Sequence, residues 1–487
     1  MNKYKNLAFN TIVFTIGSFS SKLISLFLNN LYTKHISPSQ LYTKSLLETI
    51  ALFLIPVFTF SLGEAIIRYG LDKRYDKTKI FTTTSIISLS GLLLMAAVVP
   101  LIQFIPVFSS LQSYSLLLIL YIFCSSLRAQ CSQFVRAREM VKLFSFDGIL
   151  TTFMLLLFNI IFISHLGLGV KGFMLSTILS DLCSAIFLFF SADLKRYFNI
   201  STFSFPLGKA MLRFCIPLIP TTVMWTFTGF SDQLFISAMK GEGDAGIYAA
   251  AVKIPCLISM LSTIFFQAWN MSAITENESA DRNIFYEKVY SAYESVLFIG
   301  SAVLILIVKP ISALLINYSV FPEYSKSYIY TPLLIAASLF TCLDLFLASI
   351  YTATNHTKNA FITISAAFIL NIVLNYLFIP IFDIQGAALA TFLSYFLCYI
   401  IRIIDARRFV PFGYNPIASY TGTALVLLMC FFAISRPAYH IFAELTILAV
   451  ITAVFIGRLL PLFAGIIGRV DIKSAARVFG KSDRKPH

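Results

Sequence analysis

The sequence predicts an all-α polytopic membrane protein of about fourteen spanning helices, each sized to a hydrocarbon core ~30 Å thick. Three observations predict it. Hydrophobic residues make up 58% of the chain and charged residues 12%, against about 45–50% and about 25% in soluble domains. Apolar runs of about 20 residues recur from end to end, the length a helix needs to cross a bilayer. Short stretches between these runs hold most of the Lys and Arg, which explains the net charge of +14 as a topology signal and argues against a nucleic-acid partner.

The ends of the apolar runs place helices at about 8–31, 45–67, 80–100, 114–135, 144–164, 170–191, 213–239, 246–270, 289–311, 331–352, 361–380, 386–403, 417–434 and 441–467. The first follows a basic start, MNKYK, but it is long, carries Lys22 and has no small-residue cleavage site, so it reads as a retained helix. The second contains Pro56 and ends in Glu64 and Arg68, charges suited to an interface. Lys73, Arg74, Lys77 and Lys79 precede the third, Arg136, Arg138 and Lys142 separate the fourth from the fifth, and Gly172 marks the turn into the sixth. Lys195, Arg196, Lys209 and Arg213 fill the connection to the seventh, the longest at about 20 residues and too short for a folded domain. Pro217 and Pro220 open the seventh helix and Pro255 interrupts the eighth. Each proline frees backbone groups that neighbouring helices or cavity water must satisfy, which predicts kinked helices. The ninth to twelfth run to Arg402, Arg407 and Arg408, two further helices follow, and the chain closes on a basic tail.

An even count puts both termini on one side, and the Lys/Arg bias makes that side cytoplasmic. Lys34, Lys44, Lys171, Lys240, Lys326 and Arg436 are expected on the opposite face. The eight cysteines all lie in apolar segments without a C-x-x-C pair or Cys/His cluster, so neither a disulfide nor a metal site is expected.

The chain also repeats. The gap-free shift that lays Lys142 on Lys358 also lays Asn159 on Asn375 and Phe162-Ile163 on Phe378-Ile379, and small gaps bring Gly172 near Gly386. The offset is six helices, an even number, so the halves keep one orientation and relate by an axis along the membrane normal. Expected divisions are 1–200 for an N-terminal six-helix lobe, 201–410 for a C-terminal one, 411–470 for two additional helices and 471–487 for the tail. The same shift lays Arg128 on Asp344, which offers a cross-axis ion pair that acts as a latch; the alternative keeps each charge in its own lobe, Arg128 with Asp181 or Glu64 or reaching to the cytoplasmic interface.

Ionisable side chains inside spanning helices cost about 2.5–3.5 kcal/mol each on insertion scales and so mark cavities or partners. Ser18, Ser21, Lys22, Ser25 and Asn29 form one polar stripe on the first helix. Thr221, Trp225, Thr228 and Asp232 form another on the seventh, continued by Lys253 on the eighth. Glu48, Asp232 and Lys253 fall in the outer halves of their helices and are expected to cluster at the outer mouth, with Asp181 and Asp344 as further coupling candidates. A buried acid there offers a route for coupling to H+ or Na+. No other cofactor is expected.

Three stretches carry a family resemblance: FSLGEAIIRYG (60–70), PLIPTTVMWTFTGFSDQLFISAMKGEGDAGIYAAAVKIP (217–255) and FIPIFDIQGAALATFLSY (378–395). With an aspartate late in the seventh helix, then a G-x-Y turn and a lysine, the chain resembles bacterial oligosaccharide flippases of the multidrug/oligosaccharidyl-lipid/polysaccharide exporter superfamily. The first outer loop, KHISPSQLYTK, departs from that pattern in lacking glycine. The resemblance implies two six-helix lobes around a central cavity, alternating access, and residence in the bacterial inner membrane. It also implies a polyprenyl-pyrophosphate-linked oligosaccharide as cargo, with a polysaccharide polymerase and chain-length proteins as partners. Lys22, Lys253 and Arg128 are then the pyrophosphate candidates, with Ser18, Ser21, Ser25 and Asn29 offered to sugar. Two alternatives stand beside this reading. One is a multidrug and toxin extrusion-type cation antiporter, which the cavity lysines disfavour. The other is a polytopic polymerase or glycosyltransferase, which the short loops disfavour.

Overall fold

A computed structural model describes residues 24, 26–72, 74–102, 112–275, 282–354 and 356–467. Among these residues there is no strand, and thirteen helices are long and apolar enough to cross a membrane. They follow the second to fourteenth predicted spans in order. Residues 26–35 end the first helix (α1), and Lys22, Ser18, Ser21 and Ser25 lie outside the described residues.

Two predicted spans are broken where the sequence supplies a breaker. The second begins at Ser37, whose hydroxyl accepts from Gln40 N while the Gln40 side chain accepts from Ser37 N, with Pro38 at the first helical position. It runs as α2 (Pro38–Phe58), then stops at Phe60 and Ser61, both in the left-handed region at φ 53° and 52°, and resumes as α3 (Leu62–Leu71). The predicted eighth span is likewise split into α10 (Glu242–Ala251) and α11 (Cys256–Thr275). Pro255 has no N–H to continue the ladder, so the chain turns through 252–255. Ahead of the seventh span, α8 (Phe205–Cys215) and α9 (Ile219–Met239) are joined by a short 3-10 turn at Pro217.

The remaining spans are α4 (Lys77–Ile102), α5 (Ser115–Ala137), α6 (Val141–Asn159), α7 (Gly169–Ser191), α12 (Arg282–Leu306), α14 (Ser327–Ala353), α15 (Thr357–Phe382), α16 (Ile384–Phe409), α17 (Pro416–Ser435) and α18 (His440–Ile467), with a short α13 (Val308–Leu315). A π-helical turn, Ile160–His165, extends α6. Helix α7 packs on α5 and α6, and α16 packs on α14 and α15. The matched glycines occupy matched contacts: a Cβ on Gly172 would meet the Phe162 carbonyl oxygen at 3.0 Å, and one on Gly386 would strike the Phe378 carbonyl. Phe162 and Phe378 are the pair that the repeat superposes, so both glycines serve the same close helix approach.

Across the molecule α2 packs against α9 and α10. At the face away from the Lys77–Lys79 end, α1 is tied to the α13–α14 region. Asn30 Nδ2 donates to Leu314 O at 2.8 Å, Asn317 N to Thr33 Oγ1 at 2.7 Å and Tyr324 OH to Ile36 O at 3.0 Å.

Candidate functional site

A cavity of about 580 Å³ opens between α2, α5, α7 and the α10–α11 turn. Its charges are Lys44 and Glu48 on α2, Arg128 on α5, Asp181 on α7 and Lys253 in the turn.

The i, i+4 spacing puts Lys44 and Glu48 on one face of α2, where Nζ meets Oε2 at 2.9 Å. Lys44 was expected on the outer face as a topology charge. The structure corrects this: its side chain is 4% exposed, and Nζ lies 4.3 Å from the Phe173 ring centroid and 4.8 Å from that of Tyr32. Aromatic faces and one carboxylate replace the water that a loop lysine would have kept. Lys253 shares the cavity and lies within electrostatic reach of Glu48. The helix break at Pro255 places it there.

Arg128 is gripped within its own half. Its Nη1 lies 3.4 Å from Asp181 Oδ1, its Nη2 3.8 Å from Asp147 Oδ2, and its Nε donates to Ser184 Oγ at 3.1 Å. Ser125 donates to Asp181 and Ser184 to Asp147, so both acids are also held by hydroxyls. The predicted Arg128–Asp344 pair is therefore not formed. Asp344 on α14 is 1% exposed, beside Arg402 of α16 and the Cys398 thiol, with no nitrogen or oxygen donor among the described residues in hydrogen-bonding reach of its carboxylate. Arg402 instead donates to the Asp344 backbone carbonyl at 3.0 Å and to Thr363 Oγ1 at 2.9 Å. Each half sets an arginine near an aspartate on matched helices, with the charges exchanged, but only Arg128 meets carboxylate oxygens.

The expected outer-mouth cluster also divides. Asp232 does not line the cavity. It is 5% exposed among α9, α10, α15 and α16. There it accepts from Tyr248 OH at 2.6 Å, Asn375 Nδ2 at 2.8 Å, Asn371 Nδ2 at 3.2 Å and the Thr391 hydroxyl. All four donors are neutral. Glu48 and Lys253 remain together without it. Asn29 lines the cavity, with its amide donated to Leu315 O at 3.2 Å.

Two participants escaped sequence reasoning. Lys44 reads as a loop charge in the sequence because the helix starts earlier, at Pro38, than its apolar run. Asp147 was passed over near the start of its helix, although the repeat shift places it on Thr363, the residue that meets Arg402.

Fold and cavity together define the class of multi-pass, all-α membrane proteins with a charged internal cavity. Within it, the chain belongs to the polysaccharide biosynthesis protein family, which matches residues 7–270, more than half of its length. No curated protein matches the sequence. Among solved structures the chain resembles the lipid II flippase MurJ in an inward closed conformation, at TM-score 0.69 and 16% identity, covering 92% of this chain and 100% of that one. It also resembles an inward-facing multidrug resistance MATE family transporter, at TM-score 0.65 and 16% identity over 81% and 96% of the two chains. A third resemblance is to a superfamily transporter from Pyrococcus furiosus with a binding pocket of reversed polarity, at TM-score 0.56 and 16% identity over 82% and 95%.

Proposed function

We propose that the chain flips a polyprenyl-pyrophosphate-linked oligosaccharide from the cytoplasmic to the outer leaflet of the bacterial inner membrane, for surface-polysaccharide assembly. The observation that carries this reading is that three cations, Lys44, Arg128 and Lys253, line one cavity in a chain of the polysaccharide biosynthesis family. A pyrophosphate needs forked or rotating donors in a site shielded from bulk water, and one arginine with two lysines on the same cavity supplies both kinds. Glu48 pairs with Lys44 and Asp181 with Arg128, and an arriving diphosphate replaces these carboxylates as partner. Lys22 is the further pyrophosphate candidate, with Ser18, Ser21, Ser25 and Asn29 toward sugar.

Coupling to H+ or Na+ is assigned to Asp232, a buried carboxylate whose partners are all neutral and which therefore lacks a compensating positive charge. Asp344, buried with no nitrogen or oxygen donor to its carboxylate among the described residues, is the second coupling candidate. The basic end of the molecule faces the cytoplasm.

The test is a deletion strain. Lipid-linked oligosaccharide should accumulate on the cytoplasmic leaflet and clear on re-expression of the wild type. Normal export in the deletion strain, with no accumulation, would overturn the reading. The acids Glu48 and Asp181 on the same cavity wall favour one second reading, export of an organic cation. Ion-dependent efflux of a fluorescent cation by reconstituted protein, with no lipid flipping, would install it instead.

A further inference from the structure

Lys309 and Arg436 stand at the end of the molecule away from the basic face, so the topology bias that accounts for most of the other Lys and Arg does not account for them. With His440 and Glu444 they line a cavity of about 280 Å³, where the ends of three spans, α12, α17 and α18, meet the start of α13. The cavity therefore lies at the level where helices leave the hydrocarbon, and its volume far exceeds what a single water needs. Glu444 is 3% exposed, and its carboxylate has neither a hydrogen bond nor a salt bridge among the described residues. It lines the cavity instead of lying sealed behind it. Buried polar groups are nearly always paired, so a carboxylate that opens on a cavity and lacks a donor calls for one from outside the chain.

The cations are held ready on the other side of the charge balance. Tyr328 of α14 carries both, with Arg436 Cζ at 4.6 Å and Lys309 Nζ at 5.9 Å from its ring centroid. Arg436 caps the end of α17 in the left-handed region at φ 48°, where glycine or asparagine is the ordinary choice. An arginine held there against its backbone preference points to use of its side chain. His440 Nδ1 donates to Pro437 O at 2.9 Å, which leaves Nε2 of the neutral ring as an acceptor. The wall thus offers forked and rotating donors to one anion, and a carboxylate with an imidazole nitrogen to one cation. Its lip is apolar: Ile441 lines the cavity at 59% exposure, and Phe442 beside it is 76% exposed. A soluble ligand has no use for such a lip, whereas an acyl chain lies against it.

We infer that this cavity holds the headgroup of a bilayer phospholipid of the phosphoethanolamine class, its phosphate on Lys309 and Arg436 and its ammonium on Glu444. A glycerol headgroup of net negative charge would leave Glu444 unpaired, and a choline headgroup has no N–H to donate. The site shares no lining residue with the charged cavity, so the inference stands independently of the flippase reading. A lipid bound there joins the last two helices to α13, which in turn accepts hydrogen bonds from Asn29 and Asn30 of α1 at Leu315 O and Leu314 O.

The experiment takes full-length protein stripped of lipid in detergent and adds back phosphatidylethanolamine, phosphatidylglycerol or phosphatidylcholine of identical acyl chains, with native mass spectrometry counting the lipid retained. Wild type should hold one phosphatidylethanolamine about tenfold more tightly than either other lipid. Glu444→Gln should bring phosphatidylethanolamine down to the level of phosphatidylglycerol or below it. Lys309→Gln, and Arg436→Asn with a residue suited to the left-handed backbone, should weaken both of these lipids together. Equal retention of all three lipids by wild type, or an undiminished preference in Glu444→Gln, overturns the site. Glycerophosphoethanolamine, the same headgroup without acyl chains, should displace the lipid only in large excess; displacement at equal concentration overturns the lipid as occupant. A melting temperature of Glu444→Gln within a few degrees of wild type separates lost contacts from lost folding, and if that variant does not fold, the wild-type comparison of the three lipids decides.

Discussion

Arg128 is fixed by two carboxylates and a serine hydroxyl on α6 and α7. Its removal leaves Asp147 and Asp181 facing each other without a cation. Breaking a buried pair costs about 3–5 kcal/mol, less here because about a third of the arginine side chain is exposed. Arg128→Ala is therefore expected to lower the melting temperature in detergent and to abolish export, while Arg128→Lys recovers stability more than export because a lysine cannot fork. Equal recovery of both would remove the special role of the guanidinium. Tyr248 poses the opposite case, a neutral donor to a buried acid. Tyr248→Phe leaves Asp232 Oδ2 one donor short, a loss of about 1–3 kcal/mol. Unfolding curves of the purified variant check this, and an unchanged midpoint would mean that Thr391 alone satisfies that oxygen. At this scale the sequence revealed which side chains were anomalous, since an Asp or Lys among apolar residues is visible without coordinates. It did not reveal their partners. Asp232 and Lys253 lie on successive helices, and the turn through 252–255 takes Lys253 off the face of α10, so their stripes along the chain do not say which partners they meet.

The G-x-Y turn acquires a physical meaning at the scale of elements. Tyr248 caps Asp232, and Gly246 lies so close to the Pro38 carbonyl that any Cβ would strike it, so this glycine sets the approach of α10 to α2. Gly246→Leu should sharply reduce the amount of folded protein, whereas Gly243→Leu, where nothing lies within 4 Å of a new Cβ, should not. Size-exclusion profiles of the two variants decide the matter, and identical profiles would contradict the contact. The last two helices are joined to α12 by another device. Glu294 on α12 is 1% exposed and meets Arg458 of α18 at 3.0 Å, with Ser419 of α17 donating to the same carboxylate. Arg458→Met should destabilise by about 3–5 kcal/mol because it leaves an uncompensated buried charge, and adding Glu294→Met should restore most of the loss. A double variant no more stable than Arg458→Met would show that the network, not the charge pair, holds α17 and α18. The glycines and prolines were legible as punctuation, but which helix each one faced was not, because that depends on packing between segments distant in the chain.

For the whole molecule, the bonds from α1 and its loop to 314–324 make the end away from the basic face a closed seam in this conformation. A cysteine pair at Ile36 and Tyr324 should crosslink in resting protein and, if alternating access opens this seam, the crosslinked protein should lose export until it is reduced. Export that persists at full rate while crosslinked would locate the outer gate elsewhere. The order of the thirteen described spans was legible in the sequence alone, because hydrocarbon thickness and the cost of burying charge act on short segments without reference to their neighbours. The pairing of charges was decided only in three dimensions. The shift placing Arg128 on Asp344 identified equivalent positions, but Arg128 finds its carboxylates on α6 and α7 of its own half, while Arg402 of α16 reaches the backbone carbonyl of Asp344 and not its carboxylate. A pattern along the chain identifies which residues are equivalent; which of them touch is set by the packing of helices far apart in sequence, and it is that packing which places Lys44, Arg128 and Lys253 around one cavity and leaves Asp232 outside it.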